Sequence, residues 1–298
     1  MKENGMVEEL IALRGQISKI DQELLTLFAA RMEVVQRVAE YKKHSGASVL
    51  DRRREGELLA ELEGCRRVFI ETLLRLSRVR QYDLLLDQDP KWRLGEELNS
   101  APRQLPAVRT VAVSDTHQGH CIQAAARLFP STTVVPVSSF AAVIGQVLEK
   151  NADAAILPLA DCTEGTVAEI YTLLAENALY IQAALNLSTN KQTRLIAVGP
   201  TLILPPQAGQ VSLLLQTPDE VGALAAVLNI FADLGINLNK IESIPVPNSP
   251  GDCRFYLDFW APSASREVKR ALYQLEHEFP RFSFLGWYEV QNGAGPVS

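Results

Sequence analysis

The sequence predicts a multidomain protein in which an all-α segment is followed by a small α/β segment and then by an α+β segment. Three observations carry this prediction. All sixteen prolines lie at or after Pro90, and the first 90 residues contain 31 charged side chains against 33 in the other 208. From Val108 onward, short apolar runs alternate with amphipathic stretches. Because proline interrupts helices, the proline-free, Leu-rich first segment is expected to be helical.

Composition narrows the classes of function. The chain has 298 residues, of which 47% are hydrophobic and 21% charged, a balance typical of globular proteins. A net charge of -6 argues against a nucleic-acid partner, so any anionic ligand must be held by a local cluster of cations. The uncharged stretch from Leu195 to Pro218 is interrupted by prolines and is not expected to span a membrane. The acidic N-terminus and four scattered cysteines predict a cytoplasmic location.

The first helix is expected to run from Val7 to Lys43 and to carry two cations on its apolar face. That face consists of residues three or four apart, namely Leu13, Ile17, Ile20, Leu24, Leu27, Arg31, Val35, Val38 and Lys42. At about 100° per residue, Arg31 and Lys42 lie roughly 20° apart around the helix, within the apolar stripe. Arg14 lies roughly 100° away from Arg31 and is expected to face a different surface.

The second and third helices also carry polar residues at apolar positions. Asp51 and Glu55 lie on the stripe of the second helix, Arg54 borders it, and Ser77 and Gln81 lie on the stripe of the third. An unpaired charge in a core is costly, so these groups must pair with one another, reach solvent or bind a ligand. One interpretation is a buried ion-pair layer that fixes helix register. The other interpretation is that they bind a small dianionic ligand, and the excess of cations over acids favours it.

These helical segments resemble the all-α class of chorismate mutase, which is fused to prephenate dehydratase in bifunctional P-proteins. The resemblance rests on LRGQISKIDQELLTLFAARMEVVQRVAEYKK, VLDRRRE and SRVRQ. The active-site positions of the family fall on Arg14, Arg31, Lys42, Asp51, Arg54, Glu55, Ser77 and Gln81. The resemblance implies an intertwined helical homodimer in which Arg14 is donated across subunits, and it implies conversion of chorismate to prephenate by an intramolecular Claisen rearrangement.

The roles of these residues also follow from the resemblance. The rearrangement needs no metal, cofactor or nucleophile, so catalysis must come from holding the reactive conformer and stabilising charge on the breaking ether. The three arginines would hold the two carboxylates, with assistance from Ser77. Lys42 and Gln81 would donate to the ether oxygen, Glu55 would accept from the ring hydroxyl, and Asp51 would shape that end of the pocket. The connection from Glu55 to Ser77 is shorter than in the family.

The middle segment is predicted to contain the buried strands VRTVAV, TTVVPV, AAILPLA and TRLIAV, with helices between them. It resembles one lobe of prephenate dehydratase through SSFAAVIGQVLEKNADAAILPLADCTEGTVAEIYTLLAENALYI and TRLIAVG, whereas the second lobe is missing. Under this resemblance Thr163 and Thr193 are vestigial dehydratase positions, and Ala160, Asp161 and Cys162 replace a Glu-Asn-Ser motif. Because half a cleft cannot enclose a substrate, dehydratase activity is expected to be lost.

One short run in the middle segment has the residue types of a metal site. His117, His120 and Cys121 form a His-x-x-His-Cys sequence that could ligate zinc. No second Cys or His cluster in the sequence complements it, so an ordinary loop is favoured and neither a metal nor a cofactor is expected.

The last segment is predicted to follow the order βαββαβ, which is the ferredoxin-like arrangement, with helices over residues 220–234 and 265–279. It resembles the phenylalanine-sensing ACT domain of P-proteins. The positions that would bind the regulatory ligand are Gly222, Ala223, Leu224, Asn237, Glu242 and Ser243. Ile244 stands where the family has arginine, which puts the ligand in question. The alternative is a dimerisation module without a ligand.

These predictions divide the chain into a helical mutase domain (1–90), a linker (91–107), a truncated dehydratase-like domain (108–206) and an ACT regulatory domain (207–298). The predicted function is that of a cytoplasmic, dimeric chorismate mutase with chorismate as substrate and L-phenylalanine as a candidate effector. Two alternatives remain. One is a non-catalytic regulatory partner of an aromatic amino-acid pathway enzyme, and the other is a bifunctional chorismate mutase/prephenate dehydratase.

Overall fold

The computed structural model describes residues 2–115, 118–160, 167–188, 192–218, 220–246, 253–263 and 265–293. The chain divides into two compact units, Met1–Asp89 and Pro90–Ser298. The division falls at the first proline, where the charge density of the sequence drops. Among the described helices, none has the length and hydropathy required to cross a lipid bilayer.

The first unit consists of three helices, α1 (Lys2–Ser45), α2 (Arg52–Leu59) and α3 (Gly64–Leu86). α1 extends beyond the predicted range Val7–Lys43 at both ends. It is followed by Gly46, whose φ of 69° is the left-handed conformation that commonly ends helices. α2 begins after Asp51, whose side-chain oxygen Oδ1 accepts a hydrogen bond from the backbone N–H of Arg54 at 3.0 Å. This cap satisfies one of the free donors in the first turn of α2.

The apolar stripe of α1 is exposed in the single chain along much of its length, although α1 packs against α3. The exposed fractions are 50% for Leu13, 57% for Ile17, 55% for Ile20, 44% for Leu24 and 67% for Leu27. A contiguous row of large aliphatic side chains exposed to water marks an interaction surface. The helical hairpin of one chain therefore leaves a face that another element could bury.

The first part of the second unit alternates helices and strands. Its elements are α4 (Arg93–Ser100), β1 (Thr110–Ser114), α5 (Gln118–Leu128), β2 (Thr133–Val137), α6 (Phe140–Leu148), β3 (Ala154–Ala160), α7 (Val167–Glu176), β4 (Tyr180–Ser188) and β5 (Gln192–Gly199). α4 lies inside the predicted linker and buries Leu94 and Leu98, so that segment is partly ordered. β4 was not among the predicted strands. It pairs antiparallel with β5.

β1, β3, β4 and β5 are largely buried, whereas β2 lies at the edge of the sheet with its residues exposed or half-buried, so the prediction of TTVVPV as a buried strand is wrong. β1 pairs in parallel with β2 and β3, and β3 pairs antiparallel with β5. Along β1, Val111 and Val113 pack with residues of α5, whereas Ala112 packs with residues of α6 and α7. Helices thus cover both faces of the sheet, which explains why its strands appear as continuous apolar runs in the sequence.

The second part of the unit has the predicted order βαββαβ and confirms the ferredoxin-like arrangement. Its elements are β6 (Ala208–Thr217), α8 (Ala223–Asp233), β7 (Leu238–Pro245), β8 (Cys253–Pro262), α9 (Arg266–Glu278) and β9 (Phe282–Gly293). β6 is antiparallel to β8 and β9, and β8 is antiparallel to β7. β6 and β7 therefore point in the same direction, and α8 returns the chain between them.

The nine strands found among the described residues belong to one sheet with the order β2-β1-β3-β5-β4-β9-β6-β8-β7. The junction is the parallel pairing of β4 with β9, which begins with Ala183 opposite Glu289. At Gly286, where φ is 150°, an added Cβ would lie 2.4 Å from the backbone oxygen of Ile181. Glycine is required for this close approach. The boundary predicted between residues 206 and 207 therefore separates two strands of a continuous sheet.

Candidate active site

Arg31 and Ser77 meet where α1 packs against α3. The guanidinium of Arg31 donates a hydrogen bond to the backbone oxygen of Leu73 at 3.0 Å and another to Oγ of Ser77. The Ser77 hydroxyl also donates to the oxygen of Leu73, at 2.5 Å. Burial lowers the pKa of Arg31 from its ordinary value. The structure thus brings together two residues that the sequence placed on the stripes of different helices.

A groove of about 520 Å³ lies beside Arg31. It is lined by Asp21, Leu24, Leu25, Leu27, Phe28, Arg31, Phe69 and Leu73. Its wall is largely apolar, and Arg31 is the member of the predicted site that lines it. The other seven predicted positions are not among its lining residues, so this groove contains one of the eight predicted site residues.

Lys42 lies one turn before the end of α1, where its Nζ donates to the backbone oxygen of Val49 at 2.7 Å. Burial is the main cause that lowers the pKa of Lys42. The negative charges of Asp51 and Glu55 oppose this shift, whereas the positive charges of Arg54 and Arg78 reinforce it. These four charged residues are thus close enough to Lys42 to act on it electrostatically, and three of them were predicted site residues.

Glu55 forms an ion pair with a residue that the sequence analysis did not select. Its Oε1 and Oε2 lie 2.7 and 2.6 Å from Nη1 of Arg78. Arg78 lies on α3 directly after Ser77, within the SRVRQ run that carries part of the resemblance. That adjacency was the available signal. It was missed because Arg78 lies off the stripe defined by the apolar positions.

Gln81 is buried on α3, one turn after Ser77. Its Nε2 donates to the backbone oxygen of Ser77 at 3.2 Å, whereas its Oε1 is buried and has no hydrogen-bond partner among the described residues. A buried amide oxygen without a partner is costly. Gln81 therefore retains hydrogen-bonding capacity that the folded chain does not use.

Arg14 lies far from the other predicted residues of its own chain. It precedes Arg31 by seventeen residues on the same continuous helix, which corresponds to about 25 Å along the axis at a rise of 1.5 Å per residue. Its side chain is exposed, as are those of Asp51 and Arg54. Arg14 and Arg31 of one chain therefore cannot hold the same small molecule.

The predicted regulatory positions lie at two ends of the ferredoxin-like part. Gly222, with a φ of 86°, precedes α8, and Ala223 and Leu224 are in its first turn. Asn237 follows the opposite end of α8, about 16 Å away for an eleven-residue helix. β7 then runs back, so Glu242 and Ser243 return toward the end marked by Gly222. Asn237 and Gly222 of one chain are thus too far apart to contact one amino acid together.

The predicted dehydratase positions are only partly described. Thr163 lies outside the described residues. Thr193 is in β5, opposite Leu187 of β4. The next residue, Arg194, donates from Nε to Oδ1 of Asn186 at 3.0 Å.

A buried polar cluster that the sequence analysis missed lies at the centre of the second unit. The Ser212 hydroxyl donates to Oδ1 of Asp258 at 2.6 Å and lies within 2.9 Å of the hydroxyls of Tyr256 and Tyr288. Nη1 of Arg194 lies 3.7 Å from Oδ2 of Asp258. Burial raises the pKa of Asp258, although the hydrogen bonds and the charge of Arg194 oppose this. The signal was present, because Ser212 and Asp258 are polar residues inside apolar strands.

The His-x-x-His-Cys run, considered above as a metal site, is partly described by the structure. His117 lies outside the described residues, whereas Cys121 is buried in α5, and burial raises the pKa of its thiol to about 12. Among the described residues, no group of three or more His, Cys, Asp or Glu side chains could hold a metal ion.

Comparison with known proteins finds similarity to three protein families along the chain. Family models of chorismate mutase type II, prephenate dehydratase and the ACT domain match residues 13–68, 107–198 and 211–262, respectively. These three segments, in this order, constitute a P-protein-like arrangement. The first match covers most of α1, all of α2 and the beginning of α3, and so includes six of the eight predicted site residues but not Ser77 or Gln81.

Individual relatives agree with this arrangement. The bifunctional chorismate mutase/prephenate dehydratase of Aquifex aeolicus is 23% identical, over 95% of this chain and 98% of its own. The crystal structure of prephenate dehydratase from Streptococcus mutans is 28% identical with a TM-score of 0.53, over 61% of this chain and 99% of its own. GqqA, described as a novel type of quorum quenching acylase, is 25% identical with a TM-score of 0.54, over 61% of this chain and 95% of its own.

The alignment with the Aquifex protein also shows that this chain is shorter than its relative. It is 367 positions long, although the present chain has only 298 residues. Many positions of the relative therefore have no counterpart here. This agrees with a shortened dehydratase segment, for which β5 follows β4 almost directly.

Proposed function

We propose that this chain converts chorismate to prephenate. The observation that carries the proposal is the contact of Arg31 with Ser77 beside the groove, where α1 packs against α3. Arg31 lies within the segment that matches the mutase model, and Ser77 lies nine residues beyond its end. Arg31 supplies a desolvated cation for a carboxylate of the substrate. The partly buried Lys42 supplies Nζ and the buried Gln81 supplies Nε2 as donors for the ether oxygen.

The chemistry of the reaction suits such a site. The rearrangement breaks a C–O bond and forms a C–C bond within one molecule, without an external acid, base or nucleophile. A rigid set of cations and amides lowers the barrier by holding the reactive conformer and stabilising negative charge on the departing oxygen. In the proposed site Arg31 and Arg54 bind the carboxylates, Glu55 accepts a hydrogen bond from the ring hydroxyl, and Asp51 shapes the same end of the pocket.

The proposal includes a second copy of the chain. Two observations support this part of the proposal: the stripe of α1 is exposed, and Arg14 is too far from Arg31 along α1 to serve the same site within one chain. A homodimer formed along α1 accounts for both observations. It buries the stripe and adds the missing cation to the groove beside Arg31.

The test is turnover of chorismate by the purified full chain. We expect prephenate to form, and we expect Lys42→Ala to lower kcat by at least about 100-fold while the circular dichroism spectrum is unchanged. Arg37→Ala is the matched control, because Arg37 is an exposed cation on the same helix. Unchanged turnover in Lys42→Ala would refute the site assignment. The absence of any turnover by the wild-type chain would favour a non-catalytic regulatory partner.

A second candidate function is dehydration and decarboxylation of prephenate to phenylpyruvate. The observation that favours it is the match of 95% of this chain to a bifunctional relative. This match supports a bifunctional enzyme, whereas the missing lobe led us to expect that dehydratase activity is lost. Phenylpyruvate formation from added prephenate would support this function. Its absence, in a preparation that turns over chorismate, would leave the shortened segment as a structural connector.

The ACT segment is proposed to bind L-phenylalanine between two copies of the chain. The support is the ACT match together with the separation of Gly222 from Asn237 along α8, which a second copy would overcome. A ligand at one hundred times its Kd stabilises the folded state by about 2.7 kcal/mol and so raises the melting temperature. No shift at millimolar phenylalanine would contradict phenylalanine binding, and tyrosine is the matched alternative ligand to test.

A further inference from the structure

The ion pair between Arg78 and Glu55 connects α2 to α3 and is more sheltered than its neighbours. The side chains of Arg78 and Glu55 are 14% and 21% exposed, and both carboxylate oxygens contact Nη1. Three ion pairs between residues three or four apart on the same two helices each have a side chain that is at least 43% exposed. Exposed pairs contribute little to stability, whereas a sheltered pair between two helices fixes the orientation of both groups.

The position of the pair places it within the proposed site. Arg78 follows Ser77 directly and precedes Gln81 by one helical turn, and Glu55 follows Asp51 by one turn of α2. The pair therefore connects the turns that carry five of the eight predicted site residues, namely Asp51, Arg54, Glu55, Ser77 and Gln81. Arg78 itself is not one of those eight.

Electrostatics suggest what Arg78 does there. Glu55 and Arg78 both act on Lys42, with opposite effects on its pKa. Without Arg78, the carboxylate of Glu55 would lose its bound cation and would be attracted to Lys42. An ion pair between Glu55 and Lys42 would occupy the ammonium that the ether oxygen needs and would move the carboxylate away from the ring hydroxyl.

We propose that Arg78 is a positioning residue, which holds the Glu55 carboxylate against α3 and thereby keeps Lys42 available to the substrate. This inference rests on the proposed mutase function. It assigns to this chain a cation that acts through Glu55 and Lys42 and does not itself touch chorismate.

The experiment compares the steady-state kinetics of five variants of the full chain with those of the wild type. These are Arg78→Gln, Arg78→Lys, Glu55→Gln, the double variant Glu55→Gln/Arg78→Gln, and the control Arg80→Gln. Arg80 lies two residues further along α3 and pairs with Asp83 on the same helix. Circular dichroism and the oligomeric state are measured for each variant.

We expect Arg78→Gln to lower kcat by roughly 10- to 100-fold with little change in KM, because it disturbs the alignment of catalytic groups more than binding of the carboxylates. Arg78→Lys should recover part of the loss, since it retains the charge but not the planar geometry. The double variant should be no slower than Glu55→Gln alone, because Arg78 acts through Glu55. Arg80→Gln should match the wild type.

The pH profile provides a readout that a purely structural role would leave unchanged. Removing Arg78 takes away a positive charge that lowers the pKa of Lys42, so the basic limb of kcat should move to higher pH in Arg78→Gln. The limb should move to lower pH in Glu55→Gln. If Arg78→Gln does not fold, Arg78→Lys is measured in its place. It should show a reduced kcat, while the basic limb of its kcat profile stays at the same pH as in the wild type.

Equal kcat and equal pH profiles for Arg78→Gln and Arg80→Gln would overturn this inference, as would additive losses in the double variant. Those outcomes leave the mutase function intact, because the wild type still turns over chorismate. Absence of turnover by the wild type would instead overturn the proposed function and this inference together.

Discussion

Complementation between two inactive variants tests the intersubunit role of Arg14. In a homodimer, each site would use Arg31 of one chain and Arg14 of the other, because about 25 Å of helix separates them within one chain. Arg14→Ala and Arg31→Ala should each lose activity at both sites. In a heterodimer of the two variants, one site lacks both arginines and the other has both. Random mixing makes half of the dimers heterodimers, so the mixture should regain about one quarter of wild-type activity.

The assay is chorismate turnover after the two variants are co-expressed or are unfolded and refolded together. Mixing Arg31→Ala with Lys42→Ala is the control, since both residues act in the same chain and no heterodimer site is intact. We expect no recovery in the control. If the Arg14→Ala and Arg31→Ala mixture also shows no gain over the separate variants, while dimers still form, the intersubunit role of Arg14 is wrong.

Two further predictions concern the second unit. Gly286→Val should lower the free energy of unfolding by about 3 kcal/mol or more, because a Cβ there would lie 2.4 Å from the backbone oxygen of Ile181. The control is Gly145→Ala in α6, where an added Cβ meets no atom within 4 Å. This variant should change the free energy of unfolding by at most about 1 kcal/mol. Chemical denaturation measures both, and equal stabilities would contradict the close approach of β9 to β4. Asp258 has a raised pKa in the folded state, so its contribution to the free energy of unfolding should increase as the pH falls through that pKa toward 3.8. The opposite trend comes from groups such as Asp153, whose pKa is lowered by the backbone N–H groups of Arg109 and Thr110. The difference in the free energy of unfolding between wild type and Asp258→Asn, measured as a function of pH, isolates the contribution of Asp258. If the two proteins show parallel pH profiles of this free energy, Asp258 does not titrate as described.

Local patterns in the sequence predict much of the fold. The apolar stripe of α1 predicts a long helix, and the order βαββαβ follows from strand and helix periodicity. The pairing of β4 with β9 could not be predicted, because it joins segments about one hundred residues apart and depends on the backbone approach at Gly286. Periodicity records which face of an element is buried but not which distant strand lies beside it.

The candidate site was predicted in part for a similar reason. Arg31 and Ser77 interrupt apolar stripes, so the pattern indicates that they face one another, and the structure brings them into contact. Arg78 was missed because it lies beside the stripe, and its importance comes from the orientation of Glu55 on another helix. Arg14 does not line the groove because seventeen residues of helix separate it from Arg31, and this spacing can be read from the sequence.

The most direct test of the central claim is a crystal structure of the full chain with an oxabicyclic dicarboxylate that mimics the transition state of the rearrangement. We expect one molecule of the mimic in each helical site, with Arg31 and Lys42 of one chain and Arg14 of a second chain in contact with it. A structure in which Arg31 remains bound only to Leu73 and Ser77, Lys42 remains bound only to Val49, and the mimic is absent at saturating concentration would contradict that claim.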